Sequence, residues 1–414
     1  MADQPDAQSV LIRAVRPDDD LEAHLDLAER SFGLKGPGER DQWRQRVAAV
    51  IAQGRCLGAF ADGRLAGSAV IQDMRQWWCG QAVPMAGVSG VQVAPEDRGR
   101  GIARRLMAAL LDEAAARGYP LSVLYPATMP LYRSLGWELA GAREVAVIPA
   151  RSLRDLVPPD PVIQAVETGA GPGAPQLRRA APGDAETVIS VIGRVHEAAR
   201  DCGPITWDAA SVADWLADPG LYAYLCDDGF LIYRWQDGND ALFVEGAEAV
   251  SAGTQRAFWA HVGAHASIAD QVYARVGPAD AFWWLARERD ADVQHRSRWM
   301  LRVVDAPAAI AARGFPLGVS LSVPLAVTDH ARPANSGRWE LTVADGQGAL
   351  ARVPPPAAPA GAPFTLGARG LAALYAGTPV TALRQAGLAC GGSSEDDAAL
   401  TAAFAGTAYM LDAF

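Results

Sequence analysis

Apolar positions in the first 150 residues alternate between a spacing of two and a spacing of three to four along the chain. The first spacing is typical of strands and the second of amphipathic helices. Strands are predicted at residues 10–15, 55–60, 65–72, 83–93, 121–125 and 137–148, and helices at 18–32, 42–52, 101–117 and 130–135. Strands that alternate with helices in this way favour an α/β layered fold.

Part of this pattern is echoed later in the chain. Residues 12–17 (Ile-Arg-Ala-Val-Arg-Pro) align without gaps with residues 177–182 (Leu-Arg-Arg-Ala-Ala-Pro). Residues 58–65 resemble residues 224–231 around an Asp-Gly turn, and both pairs lie about 165 positions apart. Similarity at one fixed separation predicts a duplicated unit. The alternative is a chance likeness between two strand–turn–strand patterns.

The pattern changes again after about residue 299, which predicts a separate α+β unit. Its helices are predicted at residues 306–313, 371–376 and 396–404, and its strands at 319–327, 339–344, 348–353 and 364–366. The chain is thus predicted to be a mixed α/β protein with units at 1–150, 151–298 and 299–414. Two stretches rich in proline and glycine, 168–175 and 354–363, are typical of a linker and a surface loop.

Composition narrows the classes of function. The 414 residues carry a formal net charge of −10, half of them are apolar and a fifth are charged. An acidic balance argues against binding to nucleic acid or to anionic membranes, both of which need a basic surface. No stretch predicts a membrane helix, and the acidic start of the sequence lacks the apolar core of a signal peptide. A cytoplasmic protein is therefore expected.

Neither metal chemistry nor a cysteine nucleophile is expected. The five cysteines are scattered, and none forms a Cys-x-x-Cys pair. His261 and His265 are spaced to share one helix face, but the sequence offers no third ligand nearby. Cys79 is the cysteine nearest to the motif described next, and a covalent acyl-enzyme is not expected there.

The strongest chemical signal is a glycine- and arginine-rich turn. An apolar strand runs through Val88–Val93 and, after Ala-Pro, leads to Arg-Gly-Arg-Gly-Ile-Ala at residues 98–103, which opens directly into a helix. The first amides of a helix are unpaired donors, and the helix dipole favours an anion beside them. Glycines let the backbone approach that anion, and arginines add charge-assisted hydrogen bonds. The turn predicts a pyrophosphate cradle, although it matches neither the Walker loop nor the dinucleotide fingerprint.

This turn resembles the coenzyme A motif of GNAT-family N-acetyltransferases. The resemblance implies acetyl-CoA as co-substrate, polarisation of its thioester carbonyl by the amides of Val91 and Val93, and a pyrophosphate site made of Arg98, Gly99, Arg100, Gly101, Ile102 and Ala103. Residues 125–137 also resemble the family segment in which a tyrosine precedes a Gly-aromatic pair. Tyr132 matches that tyrosine, which implies a general acid for the departing thiolate. The alternatives are a helix start without a ligand and a tyrosine that only packs.

The architecture as a whole resembles the Eis (enhanced intracellular survival) acetyltransferases of actinobacteria. In that family two GNAT units precede a sterol-carrier-protein-like domain, and residues 299–315 resemble the entry to the third domain. The resemblance implies a hexamer and direct transfer of acetyl to a primary amine of a small cationic molecule. It also implies that the C-terminal carboxylate is the base, and Phe414 matches that residue. The alternative for Phe414 is a frayed, solvated terminus.

The resemblance also implies an acceptor pocket for the amine. Phe32 and Trp43 match aromatic positions that wall the amine pocket in Eis proteins, but a role in the core explains them equally well. Asp412 is a candidate for the negative charge that a cationic amine needs. Acidic residues that some Eis members carry near Phe32 and next to the last residue are replaced here by Leu34 and Ala413. Aminoglycosides and polyamines are therefore candidates only.

The second unit is predicted to lack a cofactor site. Residues 241–256 contain no Arg-x-x-Gly-x-Gly/Ala turn, and Glu245 and Glu248 would repel a pyrophosphate. One coenzyme A site per chain follows. Three other functions stay open: a carrier of lipids or other hydrophobic molecules through the C-terminal unit, a GNAT enzyme acting on peptide or protein amines, and one using another acyl-CoA.

Overall fold

The computed structural model of the protein describes residues 10–33, 36–160, 175–236, 238–354 and 362–414. Most of residues 168–175 and 354–363, predicted as a linker and a loop, lies outside this part. The strands are β1 (Leu11–Ala14), β2 (Cys56–Ala61), β3 (Arg64–Trp78), β4 (Gln81–Val93), β5 (Leu121–Leu124), β6 (Glu138–Pro149), β7 (Arg178–Arg179), β8 (Cys202–Thr206), β9 (Leu221–Cys226), β10 (Gly229–Trp235), β11 (Ala241–Ala249), β12 (Gln271–Val276), β13 (Asp292–Val303), β14 (Leu321–Thr328), β15 (Gly337–Ala344), β16 (Gln347–Arg352), β17 (Phe364–Gly367) and β18 (Ala389–Cys390).

Several of the longer helices, namely those that begin at Pro17, Ile102, Ala185 and Ala368, follow the amphipathic pattern of the sequence and pack an apolar face on a sheet. None of those described is long and apolar enough to cross a bilayer. They are α1 (Pro17–Phe32), α2 (Pro37–Ala52), α3 (Ile102–Ala116), α4 (Met129–Arg133), α5 (Ala185–Ala199), α6 (Ala209–Leu216), α7 (Ala252–Gly263), α8 (Phe282–Leu285), α9 (Ala306–Ala312), α10 (Ala368–Tyr375), α11 (Val380–Gln385) and α12 (Ser394–Ala403).

A single sheet of 13 strands runs through the first two units. Its order is β1-β2-β3-β4-β5-β13-β6-β12-β11-β10-β9-β7, and β8 pairs with β3. The last strand of the second unit, β13, thus lies between β5 and β6 of the first unit, while β6 also pairs with β12 of the second. Each unit therefore completes its sheet with a strand of the other. Residue 299, predicted as a boundary, falls inside β13.

The predicted elements of the first unit are present within a few residues, and the largest difference is the length of β3. The strand was expected to end at residue 72 but continues to Trp78. Its added residues pair with β4 up to the turn at Trp78 and Gln81, and β8 pairs with the same stretch. The added residues of β3 are of mixed polarity and β8 is distant in sequence, so the hydrophobic pattern alone does not reveal the extension.

The third unit is a five-stranded sheet with the order β16-β15-β14-β17-β18, packed against the β3–β4 hairpin. The Trp78 ring makes T-shaped contacts with the rings of Trp299 and Tyr375 at this junction. A buried ion pair between Arg302 on β13 and Asp329 after β14, at 2.6 Å, joins the third unit to the large sheet. One hydrophobic cluster of the described residues thus contains members of all three units.

The last residues of the sequence leave the third unit and run between the first two. The Tyr409 amide donates to the Cys202 carbonyl at 3.0 Å, and the Met410 amide donates to the Ala142 carbonyl at 3.1 Å. The approach is so close that a Cβ on Gly141 or Gly203 would lie within 2.3 Å of the backbone of this segment. The last residues of the sequence are thus held by both halves of the large sheet.

Candidate active site

The turn between β4 and α3 forms an open cradle of backbone groups. Gly99 and Gly101 have φ angles of +79° and +74°, and a Cβ built on either meets no atom within 4 Å. The helix begins at Ile102 with no side chain capping its first amides. Uncapped amides beside an open surface can hold an anion such as a pyrophosphate. The geometry of this turn therefore fits the group that the sequence predicts.

The two arginines of the turn have different surroundings. Arg100 donates to the buried carboxylate of Asp97 at 2.5 Å, and the other oxygen of that carboxylate accepts from Arg64 at 2.7 Å. Arg98 is exposed, and it has no ion pair with any residue of the described part of the chain. The buried carboxylate of Asp97 thus fixes the guanidinium groups of Arg64 and Arg100 next to the cradle. The positive charge around the turn favours an anionic ligand.

Strands β4 and β5 separate beside this cradle. Their parallel pairing ends at Val88 and Leu124, whereas β4 stays paired with β3 up to Val93. The Ala94 amide donates to β3 at 2.9 Å. Because successive amides along a strand point to opposite edges, the amides of Val91 and Val93 point toward the side that β5 has left. They are free to donate to a group bound between the strands.

Tyr132 lies on α4 in the apolar core that also contains Ile102 at the start of α3. The side chain is 4 % exposed, and its ring meets that of Trp137 edge-on at 6.4 Å. Burial raises the pKa of the Tyr132 hydroxyl, which therefore stays protonated at neutral pH. This hydroxyl has no hydrogen bond to another described residue. The group is a protonated donor without a competing acceptor.

The ring of Phe414 lies where β4 and β5 separate. A Cβ added to Gly87 on β4 would stand 3.0 Å from this ring, so the two are in direct contact. The rings of Tyr125 and Trp207 meet it edge-on, with centroids 5.8 and 6.4 Å away. Since Tyr125 directly follows the last residue of β5, the end of the sequence is placed at the mouth of the opening.

The two aromatic residues predicted to wall the amine pocket lie apart from Phe414. Phe32 ends α1 and is 64 % exposed, while Trp43 packs against the core below α1 and α2. Arg30 donates to Glu96 at 3.1 Å, which places the end of α1 beside the cofactor turn. In the described residues, the ring partners of Phe414 are Tyr125 and Trp207 instead. Leu34 lies outside the described residues.

A cavity beside the chain end is walled by the second unit. Its lining includes Trp207, Trp215, His196, Glu245, Glu248 and Asp412. Asp412, the candidate for the negative charge that a cationic amine needs, therefore lies in the same lining as the two glutamates. From the sequence, the two glutamates are predicted only to exclude a second cofactor. Their position three residues apart in the otherwise apolar strand β11 is the feature that could have indicated an acidic cavity wall.

The acidic side chains of the cavity differ in their ion pairs and in their pKa values. Glu245 is paired with Arg234 at 2.8 Å and with Arg275 at 2.5 Å. One oxygen of Glu248 is buried without a hydrogen bond in the described structure, and His196 lies 3.5 Å from it. Burial raises the pKa of Glu248 to about 7, and burial also raises the pKa of Asp412. The wall can thus receive a cation, and its charge depends on pH near neutrality.

The corresponding helix start of the second unit is closed by the protein's own side chains. Ser251 caps the Thr254 amide at 3.2 Å, and Asp228 accepts from the Ser251 amide at 3.0 Å and from the Thr254 hydroxyl at 2.6 Å. Although desolvation opposes it, hydrogen bonds from Ser251 and Thr254 lower the pKa of Asp228. A carboxylate already occupies the place of an anionic ligand at this helix.

Across the described ranges, no group of three His, Cys, Asp or Glu side chains is arranged to hold a metal ion. His261 lies in the last turn of α7 and His265 in the turn that follows the helix, and their rings lie 3.4 and 3.1 Å from the Tyr233 hydroxyl. These two histidines take part in a packed aromatic cluster with the tyrosine.

Comparison with known proteins agrees with the division of the chain into two similar units and a third, different one. Residues 12–140 and 204–303 each match a family model described as an acetyltransferase (GNAT) domain, and residues 306–411 match a sterol carrier protein domain. A crystal structure of a GCN5-related N-acetyltransferase from Kribbella flavida is 42 % identical over 100 % of both chains, with a TM-score of 0.90. The N-acetyltransferase Eis of Mycobacterium tuberculosis is 29 % identical, covering 80 % of this chain and 82 % of that protein. Eis1 from Mycobacterium abscessus shares the fold, with a TM-score of 0.76 at 23 % identity over 98 % of this chain and 100 % of its own.

Fold and site together define a CoA-dependent acyltransferase in which the first of two similar units has the open cofactor turn. The chain belongs to the GCN5-related N-acetyltransferase family, and within it to the Eis-like proteins with a sterol-carrier-protein-like third domain. The predicted family, fold class and enzyme class are confirmed. Enzymes of this family use acetyl-CoA as co-substrate, which the open turn at Gly99 and Gly101 fits.

Replacing Gly101 with alanine is expected to weaken acetyl-CoA binding at least tenfold, measured by isothermal titration calorimetry. The added methyl group would project from the cradle and hold the backbone away from the pyrophosphate. Gly118→Ala is the matched control, because Gly118 also has a positive φ, +80°, and open space around it. Both changes should lower the free energy of unfolding by about 1 kcal/mol. Equal affinity in the two variants would contradict the assignment of the cradle.

Proposed function

We propose that the protein transfers the acetyl group of acetyl-CoA directly to a primary amine of a small cationic molecule of aminoglycoside or polyamine type. The observation that carries this proposal is the position of Trp207, whose ring contacts Phe414 at the opening between β4 and β5 and which also lines the acidic cavity. In this arrangement the acceptor amine, the thioester and a carboxylate base can come together at the opening.

The first unit supplies the binding of acetyl-CoA. The pyrophosphate is bound by the turn from Arg98 to Ala103, with the uncapped amides at the start of α3 as donors. The amides of Val91 and Val93 donate to the thioester carbonyl, where negative charge develops as the amine attacks. The capped helix start of the second unit supports one cofactor site per chain.

The reaction needs one proton acceptor and one proton donor. The Phe414 carboxylate takes a proton from the ammonium group and releases it to solvent, and the free amine then forms the new C–N bond at the thioester carbon. The same carboxylate takes the second proton of that nitrogen from the tetrahedral intermediate. The C–S bond breaks as the tetrahedral intermediate collapses. Tyr132 gives its proton to the departing thiolate and is reprotonated from solvent. Burial of Tyr132, which raises its pKa, supports its role as the donor.

The acceptor amine is recognised by charge and aromatic surface. Glu248 and Asp412 supply negative charge on the cavity wall, and Trp207 and Trp215 offer ring faces to a cation. These acids compensate for the absence of acidic residues at Ala413 and Leu34. From the resemblance alone, Phe32 and Trp43 keep their proposed place in the amine pocket; neither lines the acidic cavity, and Trp43 packs against the core of α1 and α2.

A thiol-release assay with acetyl-CoA tests the acceptor class directly. Panels of aminoglycosides, polyamines and lysine peptides are compared at pH 6 and pH 8 with the wild-type protein. Turnover is expected with small polycations and to be at least tenfold slower with the peptides. Because the pKa of Glu248 is about 7, its carboxylate forms as the pH rises, and the KM for the cationic acceptor should fall between pH 6 and pH 8.

The variant Glu248→Gln should lose this pH dependence, with an acceptor KM that is high at both pH values and an unchanged KM for acetyl-CoA. The charged or titratable groups that act on Glu248 are His196, Asp201, Asp280 and Asp412. An identical pH response in the variant would remove Glu248 from the acceptor site. Faster turnover of peptides than of polycations would instead support a peptide or protein amine as the acceptor.

We also propose, from the resemblance to Eis proteins, that the protein works in the cytoplasm and assembles as a hexamer.

A further inference from the structure

We infer that Tyr125 is a positioning residue that holds the last residues of the sequence so that the Phe414 carboxylate faces the opening between β4 and β5. This role rests on the proposed function, in which that carboxylate is the base. Tyr125 lies outside the cofactor turn and is distinct from Tyr132, the tyrosine that matches the family's general acid. Its contacts alone point to the role.

The first contact is a hydrogen bond to the backbone of the chain end. The Tyr125 hydroxyl donates to the Asp412 carbonyl at 2.7 Å and lies 3.5 Å from the sulfur of Met410. Desolvation raises the pKa of Tyr125, so the hydroxyl is a donor throughout the working pH range. The bond fixes the peptide two residues before Phe414, and this sets the direction in which the final residues leave.

The second contact is between rings. The Tyr125 ring meets the Phe414 ring edge-on, with centroids 5.8 Å apart and planes at 64°. The Arg143 guanidinium lies 5.5 Å from the centroid of the Tyr125 ring and helps to hold it. The Phe414 ring is further confined by Trp207 and by the β4 backbone at Gly87. One tyrosine thus binds both the backbone and the side chain of this end of the sequence.

These two contacts of Tyr125, with the Asp412 carbonyl and with the Phe414 ring, form a clamp on the last residues. The proposed mechanism requires such a clamp for a physical reason. Chain termini are usually frayed and solvated. A base must come within hydrogen-bonding distance of the proton that it removes, and a displacement of about 1 Å can slow a reaction about a hundredfold. Tyr125 follows the last residue of β5, so it couples the base to the same strand that forms the opening.

The variant Tyr125→Phe tests the clamp, since it removes the hydrogen bond and keeps the ring. We expect kcat to fall about tenfold, with an unchanged KM for acetyl-CoA. The acid limb of the kcat–pH profile should also shift, because the carboxylate no longer keeps one fixed position beside the opening. The charged groups that act on Tyr125 are Arg143, Asp412 and Arg275, and all three are kept in the variant.

Tyr375→Phe is the matched control. Tyr375 is buried in the third unit, and its hydroxyl likewise donates to a backbone carbonyl, that of Ala309, at 3.2 Å. Both variants should lose similar thermal stability, but only Tyr125→Phe should change kcat and the pH profile. If the kcat and pH profile of Tyr125→Phe equal those of Tyr375→Phe, the positioning role is overturned.

A second variant keeps the test decisive if Tyr125→Phe does not fold. Gly87→Ala places a methyl group against the Phe414 ring from the β4 side and should give the same fall in kcat and the same shift of the acid limb. An unchanged acid limb in a folded Gly87→Ala would count against the clamp.

A C-terminal extension separates the two proposals. If residues added after Phe414 leave the enzyme fully active, the Phe414 carboxylate is not the base, and the positioning role of Tyr125 is rejected as well. If the extension abolishes activity while Tyr125→Phe behaves like Tyr375→Phe, only the positioning role is wrong.

Discussion

Replacing Tyr132 with phenylalanine is expected to lower kcat about 100-fold, which corresponds to about 2.7 kcal/mol of transition-state stabilisation. The substitution removes only the hydroxyl. The ring keeps its contact with Trp137 and its place in the core beside Ile102. Binding of acetyl-CoA should therefore be unchanged, since no cradle group is altered. Steady-state kinetics with thiol release gives kcat, and calorimetry gives the affinity.

The pH profile makes this test specific. A general acid with a raised pKa sets the alkaline limb of the kcat profile, so that limb should disappear in Tyr132→Phe. Tyr119→Phe is a suitable control, because Tyr119 is also a buried tyrosine next to β5 but lies before the strand. Full turnover by Tyr132→Phe would leave this tyrosine with a packing role only.

Adding two residues after Phe414 is expected to reduce kcat at least 100-fold. A peptide group would then replace the carboxylate, and a peptide cannot take a proton from the amine. The added residues must also enter the confined space between Gly87, Tyr125 and Trp207. Affinity for acetyl-CoA should change little, because the cradle at Gly99 and Gly101 belongs to other elements.

The same two residues placed before Met1 serve as the control and should leave turnover intact. Thermal unfolding distinguishes loss of the base from loss of the fold, since the contacts of Tyr409 and Met410 with the sheet lie upstream of the change. Normal activity in the extended protein would show that the base is another group.

Local patterns carried much of the fold and of the cofactor site. The strand, turn and helix around residues 98–103 could be predicted because their signals are local: an apolar run, glycines with positive φ and an amphipathic helix. The duplication was detectable because both copies kept an Asp-Gly hairpin at the same separation. The capped helix start of the second unit is also a local feature, since Ser251 and Thr254 have the spacing of an N-cap and the amide that it binds.

Other features depended on partners far apart in the sequence. The exchange of β6 and β13 between units cannot be read from either strand, since each has the same alternating pattern whichever neighbour it pairs with. Glu248 looked only like a charge that excludes a cofactor, until the fold placed it opposite Asp412 in one cavity. Phe32 and Trp43 could not be divided into pocket and core, because exposure depends on packing.

By itself, then, the sequence determined the family, the three-part order and the turn that fits a pyrophosphate, because hydrogen bonding and backbone preference act within a few residues. Only the tertiary structure decided where the last residues lie. Tyr125 and Asp412 are joined by a 2.7 Å hydrogen bond across 287 positions of the chain. Contacts at such separation are set by the packing of the whole molecule, and the candidate base acquires its place from that packing.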